Sequence, residues 1–245
     1  MIITLAFVNG FQEKVADKIF GFWGHIRVQK YETGKSLISE ELPLTKNTAV
    51  ENSMATTPGV VSYQSFATKS AVLESQNDIE GVLIKGIEKN ENHSALKQFL
   101  VAGRWIQFTD SLYSKETLVS DAVAKALQIK INDTIKVHFV ATNSDAQKTY
   151  RKLVVVGFYH TGIDEYDKLF MIADINLIRR INNWEPNQIG GYEVFINQYQ
   201  NINTVSSTLS NALPSEWMSK SIKEVYPNIF DWLDIQDVNR NVVFI

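Results

Sequence analysis

The first thirty residues change from a helical to a strand-like pattern of apolar positions. Apolar side chains recur at steps of four, four, four, four and three residues, at Ile3, Phe7, Phe11, Val15, Ile19 and Phe22. This spacing predicts a helix with one apolar face over residues 1–23. From His25 to Lys30 apolar and polar residues alternate. A strand is therefore predicted to follow the helix directly.

In the outer parts of the chain, predicted strands and helices follow one another in the order expected of a sheet covered by helices. Thr45–Thr57 is predicted as a short helix, because Pro58 cannot continue its hydrogen bonds and Gly59 readily adopts the turn that follows. Two antiparallel strands are predicted at Val60–Leu73 and Ile79–Ile87. Three further elements lie downstream: a strand at Tyr192–Ile196, a helix at Val205–Leu213 and a strand at Ser219–Val225. Together these elements predict an α+β lobe.

The middle of the chain has its own pattern and is predicted to form an inserted, β-rich unit. Ser120 is a good N-cap for a helix over Asp121–Leu127, which follows a strand at Glu116–Val119. Ile135–Val140 and Lys152–Phe158 are predicted to form a hairpin. A strand at Leu169–Ala173 and a helix at Asp174–Asn183 complete the unit.

The last residues return to helical spacing. Apolar side chains recur at steps of three, three, four and three, at Trp232, Ile235, Val238, Val242 and Ile245. Amphipathic helices at both ends of the chain could pack on its own core or lead towards a membrane. Because the two helices flank an inserted β-rich region, the second interpretation is preferred.

Composition narrows the possible functions. The 245 residues are 44% hydrophobic and 21% charged, with a net charge of −3 and no cysteine. The absence of cysteine excludes a disulfide framework, and the absence of a basic block argues against nucleic-acid binding. Apolar stretches such as Ile2–Val8 and Leu153–Val156 fall far short of the roughly 18–20 residues that a membrane span needs. The N-terminus also lacks the basic region and cleavage site of a secretory signal peptide.

Motifs of catalysis are weak in this chain. Ser94 and Lys97 have the serine-lysine spacing of penicillin-binding enzymes, but the companion motifs of those enzymes are absent. Gly190 and Gly191 precede a strand, so they lack the helix start that a phosphate-binding loop requires. We therefore expect no enzymatic activity, no catalytic residues and no cofactor.

One cluster has residue types that ligate metals: His160, Asp164, Glu165 and Asp167. An acidic loop between two strands is more often simply solvated, because a metal site needs convergent ligands. We expect no metal there and interpret Asp167 as a carboxylate that caps a turn.

Several segments, in order, resemble lipoprotein-releasing ABC transporter permeases of the LolC/LolE type, within the FtsX/MacB-like superfamily. The matching segments are Asn9–Glu13, Gly24–Val28, Gly59–Val61, Ala71–Leu73, Gly81–Ile87, Gly103–Arg104, Leu118–Leu127, Asn132–Ile135, Val155–Phe158, Gly162, Tyr166–Asp167 and Phe170–Ile172. Asn132 stands where the family has glycine, a mild departure because asparagine also tolerates the left-handed conformation.

The resemblance implies a two-lobed periplasmic core domain between two membrane helices of a permease. Residues 24–95 and 190–226 would form the Porter-like lobe and residues 96–189 an inserted Sabre-like lobe. Residues 1–23 and 227–245 would be membrane-proximal helices. The implied partners are an ABC ATPase on a separate chain, a second permease subunit or a second copy, a lipoprotein and its periplasmic chaperone. The implied location is the periplasmic face of the bacterial inner membrane.

The polar tip of the predicted hairpin is the candidate for partner recognition. In LolC-type subunits the corresponding hairpin is a hook that captures the lipoprotein chaperone. The candidate residues here are Thr142, Asn143, Ser144, Asp145, Gln147 and Lys148. The tip is short and lacks the prolines expected of a hook, so a plain polar hairpin remains the alternative.

Three functional hypotheses follow. The first is lipoprotein release by an ABC permease whose periplasmic domain transmits motion and performs no bond chemistry. The second is a MacB-like efflux or FtsX-like signalling permease, which would engage a different partner. The third is a free-standing binding module whose terminal helices pack on its own body.

Overall fold

The computed structural model describes residues 14–31, 40–75, 78–109, 112–139, 150–227 and 230. The strands in these ranges are β1 (Ile26–Lys30), β2 (Leu44–Thr45), β3 (Val60–Ser75), β4 (Asp78–Ile87), β5 (Leu100–Gly103), β6 (Glu116–Ser120), β7 (Thr134–Phe139), β8 (Tyr150–Tyr159), β9 (Phe170–Asp174), β10 (Gln188–Ile189), β11 (Gly191–Ile196) and β12 (Trp217–Ser221). The helices are α1 (described over residues 14–23), α2 (Thr48–Thr56), α3 (Ser94–Lys97), α4 (Asp121–Ala126), α5 (Asp164–Leu169), α6 (Ile175–Asn182), α7 (Ile202–Ala212) and α8 (Ile222–Val225).

A ten-stranded mixed sheet organises the described residues. Its strand order is β12-β1-β11-β3-β4-β9-β6-β8-β5, and β7 pairs with both β3 and β8. The short strands β2 and β10 pair separately. Most pairings are antiparallel, but β4 with β9 and β6 with β8 are parallel. The mixed helix-and-sheet class predicted from the sequence is therefore confirmed.

The long strand β3 joins the outer and middle parts of the chain. Its first half pairs with β11, from Val60 opposite Ile196 to Phe66 opposite Gly191. Its second half pairs with β7, from Ala71 opposite Phe139 to Glu74 opposite Lys136. The pairings β3-β4-β9-β6-β8-β7-β3 close a ring of six strands. Strands β3 and β4 pair with strands of both predicted lobes, so the sheet does not separate one lobe from the other. The proposed lobe boundaries stay a prediction.

Most predicted elements are confirmed within a few residues. The predicted hairpin strands are β7 and β8, which pair in register from Thr134 opposite Val154 to His138 opposite Tyr150. The predicted cap at Ser120 is also confirmed, because its hydroxyl accepts the Val123 N–H at 3.0 Å. These elements have strong periodicity or a clear cap, which is why the sequence predicts them well.

Two predictions of local structure are wrong, and one strand is missing from the predictions. The strand predicted over Ser219–Val225 ends at Ser221, where a capping box starts α8: Ser221 accepts the Glu224 N–H and Glu224 accepts the Ser221 N–H. The acidic segment predicted as a loop forms α5, whose carboxylates at Asp164 and Glu165 suit the positive end of a helix. Strand β5 was not predicted, because its four residues are too few to show alternation.

The described end of α1 packs on the core of the protein. Ile19, Phe22 and Trp23 are buried, as is Phe20 on the neighbouring face. The membrane-proximal role predicted for residues 1–23 stays a prediction. Of the second terminal helix, predicted at residues 227–245, all but residues 227 and 230 lie outside the described residues.

Candidate functional site

The two ends of the described chain meet at one end of the sheet, and we call this place the junction: Phe20, Phe22, Trp23, Gly24, His25, Arg27, Lys85, Glu193, Ser221, Ile222 and Phe230. Strand β1 leaves α1 and lies between β11 and β12. Ile26 is opposite Ser221 in the β1–β12 ladder, and the Ile222 N–H donates to the His25 carbonyl at 2.8 Å. The strand that follows α1 and the strand that enters α8 are thus hydrogen-bonded neighbours.

Gly24 ends α1 and turns the chain into β1. Its φ of +70° is the left-handed conformation, and its N–H donates to the Phe20 carbonyl at 2.8 Å. This is a common helix end that favours glycine. The same residue lies against β11, because a Cβ here would be 3.2 Å from both the Glu193 Cβ and the Val194 carbonyl oxygen. Gly24 therefore brings the end of α1 close to the sheet.

Aromatic side chains surround the last turn of α1. The Trp23 ring lies edge-on to the Phe170 ring of β9, with centroids 4.9 Å apart. The Phe22 ring stacks on the Tyr166 ring of α5 at 5.2 Å. On the other side, the Phe20 ring stacks on the Phe230 ring with centroids 5.8 Å apart, which brings α1 into direct contact with the last described residue. The end of α1 therefore contacts the outer strands, the middle of the sheet and the chain's last described residue.

A buried ion pair lies beneath this aromatic layer. Lys85 of β4 is fully buried, and its Nζ is 2.7 Å from Oε1 and 3.0 Å from Oε2 of the buried Glu193. The Lys85 ammonium also donates to the Phe22 carbonyl in the last turn of α1. It lies 4.3 Å from the centre of the Trp23 ring, and the Arg27 guanidinium lies 4.1 Å from the same centre. One ammonium group thus contacts α1 and β11 while its backbone belongs to β4.

Burial shifts the protonation equilibria at the junction. Desolvation lowers the pKa of Lys85 to about 8, although the nearby Glu193 carboxylate acts in the opposite direction. Burial also lowers the pKa of His25 to about 4. The His25 ring stacks on Phe20 with centroids 4.4 Å apart, and its Nδ1 accepts the Ile196 N–H at 3.3 Å. His25 is therefore neutral at pH 7 and holds α1 to β11 as an acceptor.

A comparison with known families decides what kind of domain this is. The model of the MacB-like periplasmic core domain matches residues 1–212. The chain belongs to the MacB-like periplasmic core domain family. The family resemblance drawn from the sequence motifs is thereby confirmed.

Two curated relatives have names that describe lipoprotein release. The chain is 25% identical over 236 residues to the lipoprotein-releasing system transmembrane protein LolC of Buchnera aphidicola subsp. Schizaphis graminum, which covers 89% of this chain and 53% of that protein. It is 20% identical over 232 residues to the corresponding protein LolE of Haemophilus influenzae, covering 90% and 53%. The chain spans about half the length of these relatives.

Two solved structures share the fold of this MacB-like domain. The extracellular domain of the noncanonic ABC-type transporter YknZ from Gram-positive bacteria aligns with a TM-score of 0.51 and 14% identity, covering 80% of this chain and 98% of that one. The periplasmic region of MacB from Actinobacillus actinomycetemcomitans aligns with a TM-score of 0.52 and 14% identity, covering 83% and 91%. Among the described residues, no helix combines the length and apolar character needed to cross a membrane.

The predicted partner-binding residues cannot be compared with the structure of this MacB-like domain. Thr142, Asn143, Ser144, Asp145, Gln147 and Lys148 all lie outside the described residues. The described parts of β7 and β8 that lead to them are paired as predicted. Their role in recognition stays a prediction.

The metal-like cluster is only partly brought together. His160 Nδ1 lies 3.0 Å from Asp121 and 3.2 Å from Asp167, whereas Asp164 pairs with Lys168 at 3.0 Å. The Asp167 carboxylate accepts the N–H groups of Thr161 and Gly162, each at 2.9 Å. The interpretation of Asp167 as a turn-capping carboxylate is therefore confirmed. Ligand atoms of Asp121, His160 and Asp167 lie within 4.8 Å of one another, but these hydrogen bonds already account for the position of Asp167.

The sequence analysis missed the charged residues of the junction. Lys85 interrupts the apolar run from Val82 to Ile87, and Glu193 interrupts Tyr192–Ile196. In an alternating strand a charged side chain normally lies on the solvent face, yet both of these are buried. The signal that could have identified them was one lysine and one glutamate on two strands predicted to lie in the same sheet. Their pairing depends on α1 covering that face, which the spacing of the strands alone does not reveal.

Proposed function

We propose that this chain is the periplasmic domain of an ABC transporter permease subunit of the lipoprotein-releasing type. ATP hydrolysis by an ATPase on a separate chain would move the membrane helices that continue from the two chain ends. The domain would transmit that movement to a lipoprotein and to the periplasmic chaperone that receives it. Its role is mechanical, and it performs no bond chemistry.

The pairing of β1 with β12 at the junction is the observation that carries this proposal. A domain inserted between two membrane helices needs its entry and exit close together, and here the strand that follows α1 and the strand that precedes α8 are neighbours in the sheet. Movement of either end also needs a stiff connection to the body. Closely packed interiors transmit displacement because they have few voids in which a shift could be absorbed. The buried aromatic layer around Phe22 and Trp23 has this property.

The proposed partners follow from the family and from the two curated relatives. They are the ATPase, a second permease subunit or a second copy of this one, a lipoprotein substrate and its chaperone. The proposed location is the periplasmic face of the bacterial inner membrane. We further propose that the hairpin tip, residues 141–148, contacts the chaperone if this subunit is the one that recruits it.

Reconstitution tests the proposed function. The full-length protein, its ATPase and its partner permease would be placed in proteoliposomes that contain a fluorescent triacylated lipoprotein. We expect lipoprotein to appear in the soluble fraction only when ATP and the chaperone are both present. Release that is independent of ATP, or no release despite ATP hydrolysis, would contradict the proposal.

The MacB-like alternative is also compatible with the match to the MacB-like periplasmic core domain model. The full-length sequence discriminates between the two. Four membrane helices without a fused nucleotide-binding domain favour the lipoprotein-releasing type, whereas a fused domain favours the MacB type. A gene without flanking hydrophobic segments would instead support the free-standing binding module.

A further inference from the structure

The contacts of Lys85 differ in kind from the other contacts of α1 with the sheet. The ring contacts of Phe22 and Trp23 are packing contacts between aromatic surfaces. The bond from the Lys85 ammonium to the Phe22 carbonyl is charged and directional. It therefore fixes the height and rotation of the last turn of α1 relative to the sheet.

The position of Lys85 in the sheet determines which strands this bond connects to α1. Its backbone lies in β4, where it is opposite Thr68 of β3 and next to Ile172 of β9. Strand β1, the covalent continuation of α1, lies near the other end of the sheet between β11 and β12. Lys85 thus connects α1 directly to the central strands, and Glu193 connects the same ammonium to β11.

Burial makes loss of this bond an all-or-none event. The ammonium is fully buried, so water cannot replace the Phe22 carbonyl while the surrounding side chains stay in place. The ammonium would keep only its carboxylate partner, and the freed carbonyl would need another donor. Such a contact favours two discrete positions of α1 over a continuous range.

We propose that Lys85 is a latch that holds the end of α1 to the central strands, and that its release from the Phe22 carbonyl lets α1 take a second position relative to the sheet when the transporter turns over. The second half of this statement rests on the proposed function. The first half concerns the chain alone and can be tested without a transporter.

Hydrogen exchange of the 245-residue chain, followed residue by residue, tests the latch. The informative variant is Lys85→Met with Glu193→Gln, which removes both charges and so leaves neither buried ion unpaired. The readout is exchange at the amides of residues 19–24, relative to exchange at Leu118 and Ile172 in β6 and β9. We expect the ratio to rise at least tenfold in the double variant.

A matched control separates the latch from general loss of stability. Lys69→Met removes another buried lysine, on β3, whose ammonium pairs with Glu40. This control should lower protection across the sheet without raising the ratio for residues 19–24.

An unchanged ratio in the double variant, or an equal rise in the control, would overturn the latch. If Lys85→Met alone fails to fold, the double variant still decides. The exchange experiment can confirm the latch even if the reconstituted transporter releases no lipoprotein. That combination of results would count against the proposed function only.

Discussion

At the scale of single residues, Gly24 is subject to two constraints that a side chain would violate. Its φ of +70° is unfavourable for any residue with a Cβ, and β11 leaves little room at the Cβ position. Gly81 of β4 offers a matched comparison, because an added Cβ there meets no atom within 4 Å.

We predict that Gly24→Ala lowers the free energy of unfolding by about 1–2 kcal/mol, the usual cost of a left-handed conformation for a residue with a Cβ. Gly81→Ala should change it by less than about 0.5 kcal/mol, as exposed substitutions usually do. Urea unfolding of both variants measures the difference. Equal free energies for the two variants would show that the end of α1 does not depend on Gly24.

His25 gives the junction a pH dependence. Its folded pKa, about 4, lies below the unfolded value of 6.5, so the folded state binds fewer protons between these values. The contribution of His25 is present above pH 6.5 and is lost as the pH falls towards 4. We predict that His25→Phe, which keeps a ring against Phe20, makes the unfolding free energy less dependent on pH in this window, by on the order of 3 kcal/mol at most. Unfolding at pH 4.5, 5.5 and 6.5 measures this, and an unchanged slope would contradict it.

Glu91 should act in the opposite direction. Burial raises its pKa from 4.5 to about 7, and its Oε1 accepts the Ser65 N–H at 2.7 Å. The folded state therefore binds more protons between pH 4.5 and 7, and the contribution of Glu91 is lost as the pH rises through 7. We predict that Glu91→Gln, which keeps an acceptor for Ser65, gains stability relative to the parent chain at pH 8 but not at pH 4. The same unfolding series measures it. A gain of equal size at both pH values would argue that the carboxyl group is not responsible.

At the scale of elements, the hairpin of β7 and β8 carries the clearest prediction about partners. Replacing Ala141–Lys148 with a two-residue Asn-Gly turn should leave the melting temperature nearly unchanged, because the sequence predicts a polar hairpin tip, and such tips contribute few buried contacts. Binding to the lipoprotein chaperone, measured by calorimetry, should fall to background. Val101→Ser serves as a control, since Val101 is 58% exposed on a different strand. Full-strength binding by the shortened hairpin would place the contact elsewhere.

An element is well predicted from the sequence when its own residues carry a clear periodicity or a cap. Strands β3, β4 and β11 have long alternating runs, and α4 has an N-cap at Ser120, so all were predicted. Helices α5 and α8 are six and four residues long, too short for helical periodicity to appear. The pair of Lys85 with Glu193 was missed for another reason. A charged residue on a predicted strand indicates a solvent-exposed side chain unless the sequence shows which element packs over it. Here the element that packs over both side chains is α1.

At the scale of the whole molecule, the sheet connects the chain ends to every other part. Strand β3 pairs with β11 near the junction and with β7 in the ring of six strands. The latch at Lys85 reaches the ring through β4, without passing along β1. Once the latch is released, a displacement of α1 is expected to shift it relative to the ring and to leave the ring itself unchanged.

Electron spin resonance distances measure this displacement, and the chain favours the experiment because it contains no cysteine. Spin labels on Asp17→Cys and Lys152→Cys, both exposed, report the position of α1 relative to β8. Labels on Ala126→Cys, in helix α4 directly after β6, and on Lys152→Cys of β8 report a distance within the part of the protein that contains the ring. In the full-length protein with its ATPase, trapping the ATP-bound state should shift the first distance and leave the second unchanged. A first distance that is the same with and without ATP would contradict the account that this domain transmits the movement of its terminal helices.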